Sequence, residues 1–255
     1  MKLTVIGCSG SYPGPDSPAS CYLVESSHSH EGGTTRILLD LGSGALGTLH
    51  RYVDPLQVDA VFLSHLHPDH CADMSGYYVM RKYHPSGAQP RIPVYGPEGT
   101  AARMARLYGL SAKPGMTEEF DFHAFDESAP TQTGPFTITV AKVVHPVDAY
   151  AIKVDDGTSS FVYSGDTAPS DALVRLTKGT DLLLAEASFR EGEQNPDGLH
   201  LTGKEAGDAA TLAGVGKLVL THIPPWHDPE RAVDEARSAY DGSLALARSG
   251  ATYEL

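Results

Sequence analysis

Cysteine is scarce in this chain: Cys8, Cys21 and Cys71 are an odd number at scattered spacing in 255 residues. That argues against a disulfide framework and for a reducing setting, so a cytoplasmic location is expected. Basic residues are also few, 19 Lys and Arg against 32 Asp and Glu, for a formal charge of −13. A surface of that sign does not grip long nucleic acid by its phosphates. Long apolar runs are missing, and residues 1–10 already read as a strand entering a glycine turn, so neither a signal peptide nor a membrane span is expected. Repeats, low-complexity tracts and dividing linkers are absent too. Residues 1–255 are therefore expected to form one domain, with 41% hydrophobic content to fill its core.

Histidine is what the chain concentrates. Ser64-His65-Leu66-His67-Pro68-Asp69-His70 follows the apolar run Ala60-Val61-Phe62-Leu63, which places three imidazoles and a carboxylate just past a strand end. Imidazole nitrogen and carboxylate oxygen suit zinc, manganese or iron, and alternate positions on an extended turn suit two adjacent ions. Cys71 reads as a small buried filler beside this cluster rather than a ligand. The pattern recurs downstream. A strand over 136–144 ends on His145, a hairpin around Asp155-Asp156-Gly157 delivers Asp166, and a strand over 217–221 ends on His222. Loops on a rigid scaffold would bring these distant residues to one rim.

The remaining elements follow from local pattern. Strands are expected at 3–6, 21–25, 35–40, 91–95 and 181–186, and helices over 72–83, from Gly96-Pro97-Glu98 to near Gly109, and behind Pro169. Thr202 and Glu205 have capping-box spacing for a helix through Leu212, and Asp228 starts a closing helix of about a dozen residues. Asp40 ends its strand where a buried carboxylate can accept a proton from a metal-binding imidazole. His28 and His30 read as solvated bystanders. From Arg81 to Lys113 six basic residues face one acidic residue, and an acidic segment follows at Glu118–Glu127. These are either solvated surfaces that neutralise one another or a positive rim for an anionic substrate. His200 precedes a helix N-terminus, where backbone amides favour phosphate. That dipole disfavours an imidazolium, so an acidic partner is required, and Glu186 is the candidate.

The motif His65-x-His67-x-Asp69-His70, followed by His145, Asp166 and His222, resembles the signature of the metallo-β-lactamase superfamily over nearly the whole chain. The resemblance implies an α/β fold, an αββα sandwich of two mixed sheets flanked by helices. It also implies two divalent transition-metal ions, zinc first, with manganese or iron compatible. His65, His67 and His145 would hold one ion, Asp69, His70 and His222 the other, and Asp166 would bridge them. An aspartate at 166 and the His200-x-Thr202 motif look like the ribonuclease Z branch, in which the matching histidine protonates the leaving oxygen. Two features depart from that branch. Only 21 positions separate His145 from Asp166, too few for its tRNA-binding arm, and its His-Glu-Ala-Thr segment appears as Ala185-Glu186-Ala187-Ser188.

Gly7-Cys8-Ser9-Gly10-Ser11, Gly14–Ser20, Arg81–Ser86, Glu186-Ala187-Ser188 and Leu220–Trp226 are more similar to the atypical actinobacterial cyclic-nucleotide phosphodiesterases. That likeness implies hydrolysis of 3′,5′-cyclic nucleotides such as cyclic AMP to the 5′-monophosphate. Asp69 or Asp166 would orient the nucleophile, and His200, paired with Glu186, would protonate the departing ribose oxygen. Trp226 or Tyr83 would stack on the base, or else serve as core or rim packing. The implied partner is a small anionic phosphodiester, with no membrane and no long nucleic acid, and a homodimer is compatible. A ribonuclease Z-like RNA phosphodiesterase, a thioester or lactone hydrolase, and a non-catalytic metal or nucleotide sensor are the alternatives.

Overall fold

In the computed structural model, residues 1–26 and 33–255 are described, and His28 and His30 lie outside the described residues. Two seven-stranded sheets face each other. The first contains β1 (Lys2–Gly7), β2 (Cys21–Glu25), β3 (Arg36–Leu39), β4 (Ala60–Phe62), β5 (Ile92–Gly96) and β6 (Phe120–Ala124). The second contains β7 (Thr131–Thr133), β8 (Phe136–Lys142), β9 (Tyr150–Asp155), β10 (Ser160–Tyr163), β11 (Leu182–Glu186), β12 (Lys217–Thr221) and β13 (Ser243–Leu246). The last strand, β14 (Thr252–Glu254), returns to the first sheet and pairs with β1.

Side-chain alternation explains why these strands read as continuous apolar runs. Ile37 and Leu39 of β3 point into the space between the sheets, whereas Leu38 points outward to a helical layer. On β11, Leu182 and Leu184 point inward and Leu183 and Ala185 outward. Both faces of each sheet are covered, so both sets of alternating positions must be apolar. The outer layer on the first sheet is α1 (Ala45–Leu49), α3 (Met74–Lys82) and α4 (Thr100–Tyr108). On the second it is α5 (Asp171–Thr177), α6 (Gly203–Ala213) and α7 (Pro229–Arg237). The expected αββα sandwich of two mixed sheets is thus observed, and no helix among the described residues is long and apolar enough to cross a membrane.

Several boundaries differ from expectation for local reasons. A separate helical turn, α2 (Pro68–Cys71), forms from the histidine motif itself, so Asp69 and His70 are helical and only the preceding ligands lie on extended backbone. The α4 helix begins at Thr100 because Gly99 takes a left-handed conformation ahead of it, and Gly96 stays in β5. Ser170, whose side chain accepts from Leu173 N, starts α5 in place of Pro169. The α7 helix is nine residues long, shorter than expected. The capping box of α6 is present in full.

Three of the six basic residues of the charged run have partners in the adjoining segments. Arg81 is buried and donates to the carbonyl of Pro90, Lys82 pairs with Glu118 at 3.3 Å and Glu119 at 3.2 Å, and Arg91 lies 3.8 Å from Asp121. Arg81 is thus taken up inside the fold, and Lys82 and Arg91 are paired with acidic residues at its surface.

Candidate metal centre

Parallel strands aim their carboxyl ends at one edge of the sandwich. Neighbouring β10, β11 and β12 run parallel, so Asp166 beyond β10, Glu186 at the end of β11 and His222 beyond β12 converge there. From the facing sheet, β3 and β4 are parallel and deliver Asp40 and the His65–His70 segment. His145 enters from the loop between β8 and β9. Close backbone approach completes the convergence: a Cβ on Gly42 would stand 1.9 Å from the carbonyl oxygen of Asp69, so only glycine fits beneath that ligand.

Three groups of donor atoms share Asp166: two are built on the histidine motif, and a third joins Asp166 to Glu186 and His200. Of the two on the motif, His65, His67, His145 and Asp166 form one, and Asp69, His70, Asp166 and His222 form the other, each with its ligand atoms within 4.8 Å of one another. In the first, His65 Nε2 lies 3.0 Å from His67 Nδ1, which lies 3.3 Å from His145 Nε2. In the second, His70 Nε2 is 3.1 Å from Asp166 Oδ1, and His222 Nε2 is 3.3 Å from Asp166 Oδ2. Asp166 therefore presents one oxygen to each of these two histidines.

The opposite ring nitrogens are anchored. His70 Nδ1 donates to Asp40 Oδ2 at 2.7 Å, His145 Nδ1 donates to the Leu199 carbonyl at 2.9 Å, and His222 Nδ1 lies 2.9 Å from Ser20 Oγ. These contacts fix the tautomers and turn the Nε2 lone pairs of His70 and His145 toward the centre. Asp40 is itself buried in donors, accepting from Ser64 N at 2.6 Å, Ser64 Oγ at 2.8 Å and the Tyr163 hydroxyl at 2.8 Å. Both Asp40 and His222 hold left-handed backbone, φ 60° and 56°, a strain that concentrates where function demands a particular side-chain direction.

The donor set fits divalent cations. His70 Nε2, His222 Nε2 and Asp166 Oδ1 are buried without a hydrogen-bond partner, and a buried polar atom left so is costly unless something binds it. Electrostatics without an ion point the same way. Burial opposes the charge on Asp166, yet His222, His70 and His65 hold its carboxyl well below the usual range. Burial likewise opposes a charge on His70, but Asp166 and Asp40 raise its pKa well above that of free imidazole. Burial and then the charge on His70 push His65 well below it. One proton on His70 thus does in the metal-free protein what a cation would do more completely.

His200 stands beside this set. Its ring centroid is 5.6 Å from that of His145 and 5.8 Å from that of His222, between the two groups. Its Nδ1 donates to Glu186 Oε1 at 2.9 Å, while Thr167 N and Ser188 N donate to the Glu186 carboxylate at 2.7 and 3.2 Å. Burial works against an imidazolium here, but the charge and hydrogen bond of Glu186, with Asp166, raise the His200 pKa to about 9. Phe189 packs edge-on at 5.0 Å and sets the ring plane.

All the residues singled out from the sequence as ligands, with Glu186 and His200, are brought to this rim. Cys71 turns its Sγ to the His67 carbonyl at 3.2 Å, beneath the loop. Tyr83 sits at the far end of α3, carried about 13 Å away by nine helical residues. Ser20, Ser64, Tyr163 and Phe189 carry no signal of their own in the sequence: the last three adjoin segments that hold ligands or Glu186, and Ser20 meets His222 only through the fold. A cavity of about 460 Å³ lies behind His222 between Cys8, Ser17, Pro225 and Arg248, and none of the clustered ligands lines it.

A two-sheet sandwich with paired His and Asp donor groups at one rim defines a metallo-hydrolase of the β-lactamase fold, with a centre fitted for two ions. Residues 35–223 match the beta-lactamase superfamily domain, and the chain belongs to that superfamily. An uncharacterised protein of Mycobacterium tuberculosis is 41% identical over 262 residues, covering all of this chain and 92% of its own. The probable metallo-hydrolase YhfI of Bacillus subtilis is 33% identical over 256 residues, with full coverage of both chains. Its crystal structure superposes with a TM-score of 0.88 at 32% identity, covering 100% of this chain and 99% of that one. A ribonuclease Z of Myxococcus xanthus is 27% identical over 309 positions, covering all of this chain and 98% of its own, so it carries segments this chain lacks.

Proposed function

We propose that the protein is a dinuclear metal-dependent phosphodiesterase that hydrolyses small phosphodiesters, foremost 3′,5′-cyclic nucleotides such as cyclic AMP, to the 5′-monophosphate. The observation that carries this reading is His200, outside the two groups built on the histidine motif, whose Nδ1 is taken up by the buried Glu186 carboxylate at 2.9 Å. A proton donor so placed serves a reaction whose leaving group is a poor one, as an alkoxide is.

His65, His67 and His145 would hold one ion and Asp69, His70 and His222 the other, with Asp166 common to both. Divalent ions held by these residues would supply charge to offset the phosphate and would lower the pKa of water near neutral pH. The chain's own residues do the rest. Glu186 holds the Nδ1 proton of His200, so the proton given to the departing ribose oxygen comes from Nε2, and the ring ends neutral in a defined tautomer. Asp69 orients the attacking oxygen. The short hairpin between His145 and Asp166, β9 to β10, has no room for an arm that grips RNA, which favours a small substrate.

Cyclic AMP, an RNA hairpin with a 3′ extension and a thioester, assayed side by side with zinc and manganese, should show turnover of cyclic AMP foremost. His200→Ala should keep its metal and lose roughly 10²–10⁴-fold in turnover of cyclic AMP. The loss should be smaller on a nitrophenyl phosphodiester, whose leaving group departs without a proton. Equal losses on both substrates would make His200 a phosphate-positioning residue, and turnover of the RNA or thioester alone would replace the reading.

A further inference from the structure

Beside the metal centre two loops are zipped together. His222 N donates to the Cys8 carbonyl at 2.9 Å and Gly10 N to the Ile223 carbonyl at 3.2 Å, so residues 8–10 run along residues 222–223. A Cβ on Gly10 would fall 2.3 Å from the His222 carbonyl oxygen and 3.1 Å from the His222 ring, which ties this loop directly to a ligand of the centre. Farther out, Gly14 packs on Pro225. Between these fixed points each loop projects one large aromatic: Tyr12, 45% exposed, and Trp226, 58% exposed. Their ring centroids are 5.2 Å apart at an interplanar angle of 34°.

The pair is held in place by the backbone. Ser11 adopts a left-handed φ of 65°, Ser9 Oγ donates to the Tyr12 carbonyl at 2.7 Å, and His227 N donates to the Pro224 carbonyl at 2.9 Å. Pro13, Pro224 and Pro225 stiffen the same segments. A strained, proline-braced scaffold that keeps two large rings in contact yet half open to water leaves apolar faces for something planar to cover. Four residues separate Trp226 from His222, at most about 14 Å of chain and less across the turn. A turn that short keeps Trp226 on the same loop as a ligand of the centre, with Tyr12 packed against it.

We infer that Tyr12 and Trp226 form a stacking platform for the base of a nucleotide substrate whose phosphate sits at the metal centre. This inference rests on the proposed phosphodiesterase reading, but it makes a binding claim that can be checked apart from turnover. Stacking on an aromatic face tolerates any base, so the platform selects nucleotides over other phosphodiesters more strongly than one base over another.

Trp226 is the one tryptophan of the chain, so its fluorescence reports the platform directly. With the metal-loaded protein, 5′-AMP should quench that fluorescence saturably and ribose 5-phosphate should not, and Tyr12→Ala should weaken the AMP response roughly tenfold. In turnover, Trp226→Ala should cut the preference for cyclic AMP over ribose 3′,5′-cyclic phosphate roughly tenfold, through KM rather than kcat, and Trp226→Phe should restore most of it. Metal content measured on each variant separates loss of the platform from loss of the fold. Quenching by AMP without any cyclic nucleotide turnover keeps the platform and removes the reaction. Turnover of cyclic AMP with no quenching, or an unchanged preference in Trp226→Ala, overturns the platform. So does a change from dimer to monomer in that variant with nucleotide binding intact.

Discussion

At His200 two forces of opposite sign meet, and the balance between them has a measurable consequence. Burial disfavours the imidazolium, Glu186 favours it, and in the metal-free protein the result is a pKa raised to about 9 from the ordinary 6.5. A folded-state value above the unfolded one means that the proton stabilises the native protein. The contribution is complete below about pH 6.5 and is lost as pH rises through about 9. Glu186→Gln removes the charge that drives the shift. Denaturation of the metal-free protein should show this variant less stable than the parent at pH 6, with the gap narrowing by pH 10, and the His200 resonance in a proton NMR titration should move toward 6.5. A gap that does not change with pH would mean that Glu186 acts through Thr167 N and Ser188 N rather than through His200.

Elements matter here for where they begin. Thr202 caps α6, accepting from Glu205 N at 3.2 Å while Glu205 accepts from Thr202 N at 2.8 Å, and the residues just before this box are Leu199, whose carbonyl anchors His145, and His200 itself. The start of one helix therefore positions two parts of the centre. Thr202→Ala should lower stability by about 1 kcal/mol. In a chain of this length that is about 2–4 °C in Tm. Activity should fall further than so small a loss explains, and Thr202→Ser should recover both. If Tm falls and kcat does not, the cap serves the helix alone.

On the scale of the whole molecule, the centre joins the two sheets, because β4 supplies one side of it and β10 and β12 the other. Ions bound only by the folded protein must therefore stabilise the entire sandwich. At a free concentration a hundred times Kd, one ion adds about 2.7 kcal/mol, or about 5–10 °C for a chain of this size. Chelation should lower Tm accordingly. Asp166→Ala should lose metal and activity together by elemental analysis, since both donor groups share that carboxylate. Full activity with no metal bound would end the dinuclear reading. Binding should also weaken as pH falls, because His70 must give up its raised-pKa proton to offer a lone pair.

Period-two apolar runs, the histidine motif and the capping box were legible in the sequence because each is a local rule: side-chain alternation, ligand spacing and backbone donors at a helix start. Weak edge strands were not. The β6 segment Phe120-Asp121-Phe122-His123 alternates correctly, but its acidic surroundings hide it, and β13 and β14 are too short to signal themselves. The likeness of the motif to a known family supplied the ligand assignment, because spacing suits two adjacent ions without dividing the ligands between them. Only the tertiary structure decided the contacts that hold the donors in that pairing. It showed that Asp166 is shared, that Asp40 collects Ser64, Tyr163 and His70 on one carboxylate, and that Glu186 reaches His200 at 2.9 Å. Those contacts join residues 14 to 123 positions apart, and such distances are closed by the register of parallel strands and the packing of two sheets, neither of which any local stretch encodes.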